Sequence, residues 1–114
     1  MNLYAEIIND ALVIHLAEDR LDAAGAIRFK DRMRELTEQP APHVVLDLSQ
    51  VTFLDSSGLG ALVSVMKELG PRRRLELAGL RPHVEKVLHL TRMNTVIRIH
   101  PDVDHAVGRL RDVG

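Results

Sequence analysis

The sequence predicts an α/β fold, a single domain with a mixed sheet of four to five strands, about four helices and an N-terminal hairpin. Short apolar segments of strand length alternate with amphipathic segments of helical length along most of the chain. This alternation is typical of a sheet whose parallel strands are joined by helices. The first two apolar segments follow each other directly, which favours an antiparallel pair at one edge. With 114 residues, we expect one domain over residues 1–114.

The hairpin is predicted from two apolar runs, Leu3 to Ile8 and Leu12 to Leu16. Between them lies Asn9-Asp10-Ala11. Asn and Asp tolerate left-handed backbone and bond to their own main chain, so this segment is predicted to form the turn.

A first helix is predicted over residues 23–38, with Asp22 as its N-cap. Its apolar positions recur at helical spacing and fall on one face: Ala26, Phe29, Met33 and Leu36. Pro40 and Pro42 end the helix, and residues 43–48 form an apolar run that indicates a buried strand.

The second half continues the alternation. A helix over 57–69 is predicted to stop at Gly70-Pro71. The elements predicted after it are a strand over 75–78, a helix over 82–90, a strand over 96–99 and a helix over 101–110.

Composition excludes several functional classes. The chain has no Cys, so disulfides, thiolate metal sites and thiol catalysis are excluded. A formal net charge of -1 and three aromatic residues, one Tyr and two Phe, argue against nucleic acid as a partner. Apolar stretches are far shorter than the roughly 20 residues that span a bilayer. We therefore expect a soluble, cytoplasmic protein that does not insert into membranes.

Motifs for catalysis and cofactor binding are absent. The phosphate-binding pattern G-x-x-x-x-G-K-[ST] and the nucleophile elbow G-x-S-x-G do not occur. Gly58 and Gly60 match the first two glycines of the dinucleotide-binding motif G-x-G-x-x-G, but Val63 stands at the third glycine position. Two His and two Asp within residues 100–105 favour a helix start over a metal site, because Pro and Asp suit a helix N-terminus. The expected protein is not an enzyme and holds no metal or cofactor.

The run Arg72-Arg73-Arg74 follows the predicted end of the second helix. Cations at that position complement the helix dipole. We interpret the run as a solvated turn and not as a binding patch.

The most informative segment is residues 47–60, where a strand, an apolar loop and Asp55-Ser56-Ser57 precede a helix. An N-cap explains one or two of the three polar residues. It does not explain Gly58 and Gly60, each of which costs a helix up to about 1 kcal/mol relative to alanine.

A helical wheel suggests a use for these small residues. It predicts a buried face of Leu59, Leu62, Met66 and Leu69. It leaves Gly60, Ala61 and Ser64 outward beside Ser57. Another protein's backbone could approach such a strip closely, so we interpret it as a docking surface.

These residues resemble the signature of STAS domains, in particular the single-domain bacterial anti-sigma factor antagonists. The matching segments are Asp47-Leu48-Ser49, Asp55-Ser56-Ser57-Gly58-Leu59-Gly60, Leu21-Asp22, Leu77 to Val84 and Leu90-Thr91. In that family the second serine of D-S-S-G-L-G is phosphorylated by the partner anti-sigma factor, a serine kinase. The resemblance implies that Ser57 is the phosphorylation site, with Asp55, Ser56 and Gly58 as its neighbourhood. Expected partner contacts are Asp22, Leu54, Gly60, Ala61 and Ser64.

Two positions depart from the family pattern, which commonly has glycine where Asp19 and Arg92 stand. Aspartate enters left-handed conformations at modest cost, whereas arginine does not. We therefore expect the helix end near Arg92 to shift toward Asn94.

The resemblance implies an anti-sigma factor antagonist. Its unphosphorylated form would bind an anti-sigma factor and release a sigma factor, phosphorylation of Ser57 would end binding, and a serine phosphatase would reset the switch. An interaction subunit of a stress-signalling or transporter complex stays open as an alternative. A nucleotide-binding domain and an enzyme with Ser57 as nucleophile are weaker alternatives.

Overall fold

The computed structural model describes residues 1–109. Its strands are β1 (Leu3–Ile8), β2 (Ala11–Leu16), β3 (Arg20–Leu21), β4 (His43–Asp47), β5 (Phe53–Leu54), β6 (Arg74–Ala78) and β7 (Arg98–His100). Its helices are α1 (Ala26–Leu36), α2 (Ser56–Leu69), α3 (Pro82–Leu90) and α4 (Val103–Ala106), and a 3-10 turn covers Met93–Thr95. No helix among residues 1–109 is long and apolar enough to span a membrane.

Five strands form the main sheet in the order β1-β2-β4-β6-β7. Within residues 1–109, only the β1–β2 pair of this sheet is antiparallel, so the predicted mixed sheet with a hairpin edge is confirmed. Asn9 and Asp10 form the turn with positive φ, while Ala11 already belongs to β2. A feature that the sequence did not predict is a second, two-stranded parallel sheet of β3 and β5.

The two faces of the main sheet are covered unequally. Helices α1, α2 and α3 pack on one face over alternate strand residues such as Ile14, Leu46 and Leu77. The opposite face is covered by the short α4, which packs its Ala106 against Val13 and Val45. The large apolar core therefore lies on the side that carries the D-S-S-G-L-G segment.

The first helix begins later than predicted. Its N-cap is Gly25, so the predicted N-cap role of Asp22 is wrong. The side chain of Asp22 instead accepts a hydrogen bond from the Ala24 N–H at 3.2 Å, which holds the loop before the helix. The predicted apolar face is confirmed: Phe29 and Met33 are buried, and Ala26 and Leu36 pack against the core.

The C-terminal elements also differ from their predicted bounds. Arg92 adopts the left-handed conformation (φ 60°), so the expected shift of the helix end toward Asn94 is wrong. The following 3-10 turn delays β7 to Arg98 and buries Ile97. The last helix begins later than predicted because Asp102 caps it, accepting from the His105 N–H at 2.8 Å, and it ends at Ala106. Its predicted end at Leu110 lies outside the described residues.

Arg73 corrects the interpretation of the arginine run. Its guanidinium donates to the backbone carbonyls of Thr37, Gln39 and Ala41 at 2.7 to 2.9 Å. These carbonyls belong to the chain that leaves α1, where helix carbonyls lack partners. Arg73 is therefore a structural residue, whereas Arg72 and Arg74 are exposed as expected.

Candidate functional site

The candidate site is the first turn of α2, which Asp55 caps. Asp55 has extended backbone, and its Oδ1 accepts a hydrogen bond from the Gly58 N–H at 2.8 Å. Its Oδ2 accepts from the Ala23 N–H at 3.1 Å, in the loop that precedes α1. One carboxylate thus fixes the start of α2 and ties it to the chain that follows β3.

The electrostatics of Asp55 follow from this geometry. The hydrogen bond from the Gly58 N–H is the main cause that lowers the pKa of Asp55 below its ordinary value. Bonds from the Ala23 and Ser57 N–H groups and the positive charge of Arg20 act in the same direction, and together they outweigh the effect of burial. Asp55 is therefore an anion at neutral pH, directly beside Ser57.

Ser56 and Ser57 are exposed, whereas Gly58 is buried between α2 and β3. A Cβ at Gly58 would lie 2.1 Å from the Leu21 carbonyl oxygen and 2.8 Å from Leu54 Cδ1. No side chain fits there. The glycine at this position is required by the close approach of the helix to β3.

Gly60 differs from Gly58. It is exposed, and a Cβ at this position would meet nothing within 4 Å. Because residues three apart lie on the same side of a helix, Gly60 and Ser57 share one face. The fold places no demand on Gly60, so its lack of a side chain leaves an open surface beside Ser57.

The rest of the predicted docking strip is corrected by the structure. Ala61 is buried at 3% exposure and faces the core, so its predicted outward position is wrong. Gly58, Ala61, Leu62 and Val65 form the buried face of α2, while Leu59, Met66 and Leu69 pack partly buried at its flanks. The helical-wheel prediction assigned only large apolar side chains to the buried face. Small residues, however, allow a helix to pack most closely against its neighbours. Ser64 is half-buried, and Leu54 is 3% exposed, so its side chain belongs to the core.

Comparison with known proteins identifies the family. The STAS domain model matches residues 2–106. The chain belongs to the STAS domain family.

Similar STAS proteins include the anti-sigma-B factor antagonist of Listeria monocytogenes, which is 29% identical over 103 residues, covering 87% of this chain and 90% of the relative. A STAS-domain containing protein from Pseudomonas aeruginosa is 30% identical over 83 residues, covering 72% and 81%. The crystal structure of an anti-sigma factor antagonist from Mycobacterium paratuberculosis has the same fold, with a TM-score of 0.84 at 24% identity, covering 97% and 94%.

Beside the first turn of α2, this STAS domain carries a stack that the sequence did not predict. The Arg20 guanidinium lies 4.3 Å from the centroid of the Phe53 ring. The Phe53 ring stacks on His83, with ring centroids 5.4 Å apart. Asp22, a predicted partner contact, is half-buried and accepts from Arg20 Nε at 3.1 Å. The signal was the Leu-Asp pair that occurs in both Arg20-Leu21-Asp22 and Phe53-Leu54-Asp55, the two segments that pair as β3 and β5.

Among residues 1–109, no group of three His, Asp or Glu side chains could hold a metal ion. The candidate site is a surface that consists of the exposed hydroxyls of Ser56 and Ser57, the anionic cap Asp55 and the bare helix face at Gly60.

Proposed function

We propose that this STAS domain is an anti-sigma factor antagonist. Its unmodified form binds an anti-sigma factor with serine kinase activity and thereby releases a sigma factor. Phosphorylation of Ser57 by that kinase ends the binding. The observation that carries this proposal is that Ser57 and Gly60 lie exposed on one face of α2, where the fold requires neither residue.

A phosphate on Ser57 would act through charge. Phosphorylation adds about -1.5 to -2 charge at neutral pH. The added charge lies next to the anionic Asp55 and beside the bare surface at Gly60, so a partner docked there meets an extra, strongly hydrated group. Loss of binding then requires no change of fold.

The name of the Listeria relative, an anti-sigma-B factor antagonist, supports the assignment of an anti-sigma factor as partner. In this proposal the kinase and its nucleotide belong to the partner, and the STAS domain itself is not an enzyme. A serine phosphatase restores the unmodified form, and the protein acts in the cytoplasm, where sigma factors bind RNA polymerase.

Phosphate mapping tests the site. The protein is incubated with ATP and an anti-sigma factor that has serine kinase activity, and modified peptides are identified by mass spectrometry. We expect one phosphate on Ser57, none on Ser57→Ala, and normal labelling of Ser56→Ala as the matched control. Labelling of Ser57→Ala at wild-type level contradicts the site assignment.

Affinity measurements test the surface. Ser57→Asp and Gly60→Gln are each expected to weaken binding to the anti-sigma factor at least about tenfold, roughly 1.4 kcal/mol. Lys67→Gln, an exposed substitution in the last turn of the same helix, is the control and should bind as wild type. Wild-type affinity of Gly60→Gln would remove the docking role of this face.

A further inference from the structure

Arg20 has a guanidinium that is held in place but donates only one hydrogen bond within residues 1–109. Its Nε donates to Asp22 Oδ2 at 3.1 Å, and its guanidinium lies over the Phe53 ring. The side chain is still 56% exposed. Its two terminal amino groups make no hydrogen bond within residues 1–109. A guanidinium ordered by stacking, with a free pair of donors, suits bidentate binding of an oxyanion.

The strand register places this cation on the same side as the start of α2. Arg20 pairs with Phe53, and Leu21 pairs with the buried Leu54. Because side chains alternate along strands, Arg20, Phe53 and Asp55 lie on the outward side. Arg20 is close enough to contribute, after the Gly58 N–H and other backbone donors, to the lowered pKa of Asp55.

A phosphate on Ser57 would compete with Asp55 for the backbone donors of the first turn of α2. Anions at a helix start are ordinarily bound by the free N–H groups of the first turn. Here one of these donors, the Gly58 N–H, already donates to Asp55 at 2.8 Å. The site therefore presents the phosphate with a neighbouring negative charge and with one first-turn donor already occupied, so a nearby side-chain cation would add favourable counter-charge.

We propose that Arg20 receives the phosphate of phosphorylated Ser57, binding it through its two terminal amino groups while it remains stacked on Phe53. This inference rests on the proposed function only for the identity of the modified residue. The ion pair joins β3 to the first turn of α2 at Ser57, on the helix face that also carries Gly60. The phosphorylated docking face is then closed by a contact within the domain, in addition to repulsion of the partner.

The test uses protein with phosphoserine inserted at position 57 during translation, so that no kinase is needed. The second pKa of the phosphate is measured by ³¹P NMR titration. Because an adjacent guanidinium favours the dianion, we expect Arg20→Gln to raise that pKa by at least about 0.5, a threefold change in proton affinity. Arg20→Lys, which keeps the charge without the planar donor pair, should recover part of the difference.

The control is Arg28→Gln, an exposed arginine on α1 that lines the same surface recess as Arg20. It should change the phosphate pKa by less than about 0.2. Since imidazoles titrate in the same pH range as the phosphate, the series is repeated with His83→Gln. Equal pKa values for wild type and Arg20→Gln, or an equal effect of Arg28→Gln, overturn the proposal. Neither result depends on whether an anti-sigma factor binds or phosphorylates the protein.

Discussion

At the level of single residues, the two glycines of the first turns of α2 have opposite roles. Gly58 is buried against the Leu21 carbonyl, with no room for a Cβ. Gly60 is exposed, with open space around it. The same residue type therefore serves packing at one position and leaves a surface bare at the other. This difference can be measured because the two glycines lie in one helix.

Alanine substitution at each glycine is expected to change stability in opposite directions. Gly58→Ala forces backbone atoms apart and should destabilise the domain by about 2 kcal/mol or more. Gly60→Ala removes a poor helix former without a clash and should stabilise it by up to about 1 kcal/mol. Urea unfolding followed by circular dichroism measures both. Equal effects of the two substitutions would contradict the assigned roles.

The sequence could predict the polar residues of the site but not their surroundings. The Asp55 cap and the exposed Ser57 follow from local rules of helix starts. The burial of Ala61 does not, because it depends on how closely Gly58 lets α2 approach β3. Arg92 shows the same limit: its left-handed conformation costs about 1–2 kcal/mol locally, so local rules alone predict against it.

At the level of elements, Arg73 links two connections that lie far apart in sequence. It precedes β6 and donates to three carbonyls in the connection from α1 to β4. Those carbonyls have no helix partners, and a guanidinium can bond to several at once because its donors diverge. This contact holds the C-terminal end of α1 near the start of β6.

Substitution of Arg73 should destabilise the fold, whereas substitution of its neighbour should not. Arg73→Lys keeps the charge but loses the divergent donors, and we expect a loss of about 1–2 kcal/mol in the free energy of unfolding. Arg72→Lys, at an exposed position, is the matched control and should change stability by less than about 0.5 kcal/mol. Thermal unfolding by calorimetry distinguishes them. Similar unfolding temperatures for both variants would show that the carbonyl contacts contribute little.

Elements of ordinary length were predictable, and short ones were not. Sequence patterns were long enough to identify the apolar runs of β2 and β4 and the periodic apolar face of α1. The pairing of the strands follows from the alternation of strands and helices along the chain. Strands β3 and β5 have two residues each. No periodicity exists over two residues, so neither strand could be recognised from an apolar pattern of its own.

For the whole molecule, the sheet face beneath α4 carries two histidine–carboxylate clusters. His15 lies 2.6 Å from Glu6 and 2.7 Å from Asp47 across β1, β2 and β4. On β4, β6 and β7, Glu76 Oε1 accepts from His43 at 2.8 Å and from His100 at 2.6 Å. Glu76 is 6% exposed. Both clusters join neighbouring strands, so they connect local protonation to the stability of the sheet.

Glu76 is expected to make the whole domain sensitive to acid. Burial raises the pKa of this carboxyl, but the hydrogen bonds from His100 and His43 outweigh burial and leave the pKa below its ordinary value. A group with a lowered folded-state pKa contributes stability above its unfolded pKa, about 4.3 for glutamate, and loses that contribution as pH falls through the folded pKa.

Glu76→Gln should therefore lower the free energy of unfolding by about 1–3 kcal/mol at pH 7, because two histidine donors lose their carboxylate. The difference from wild type should shrink as the pH falls below about 4, where the wild-type carboxyl becomes protonated. Glu38→Gln, on an exposed side chain, is the control and should follow the wild-type curve at every pH. Urea unfolding between pH 3 and 8 measures the series. A stability loss for Glu76→Gln that stays constant over this range would show that the ionised carboxylate is not what joins these strands.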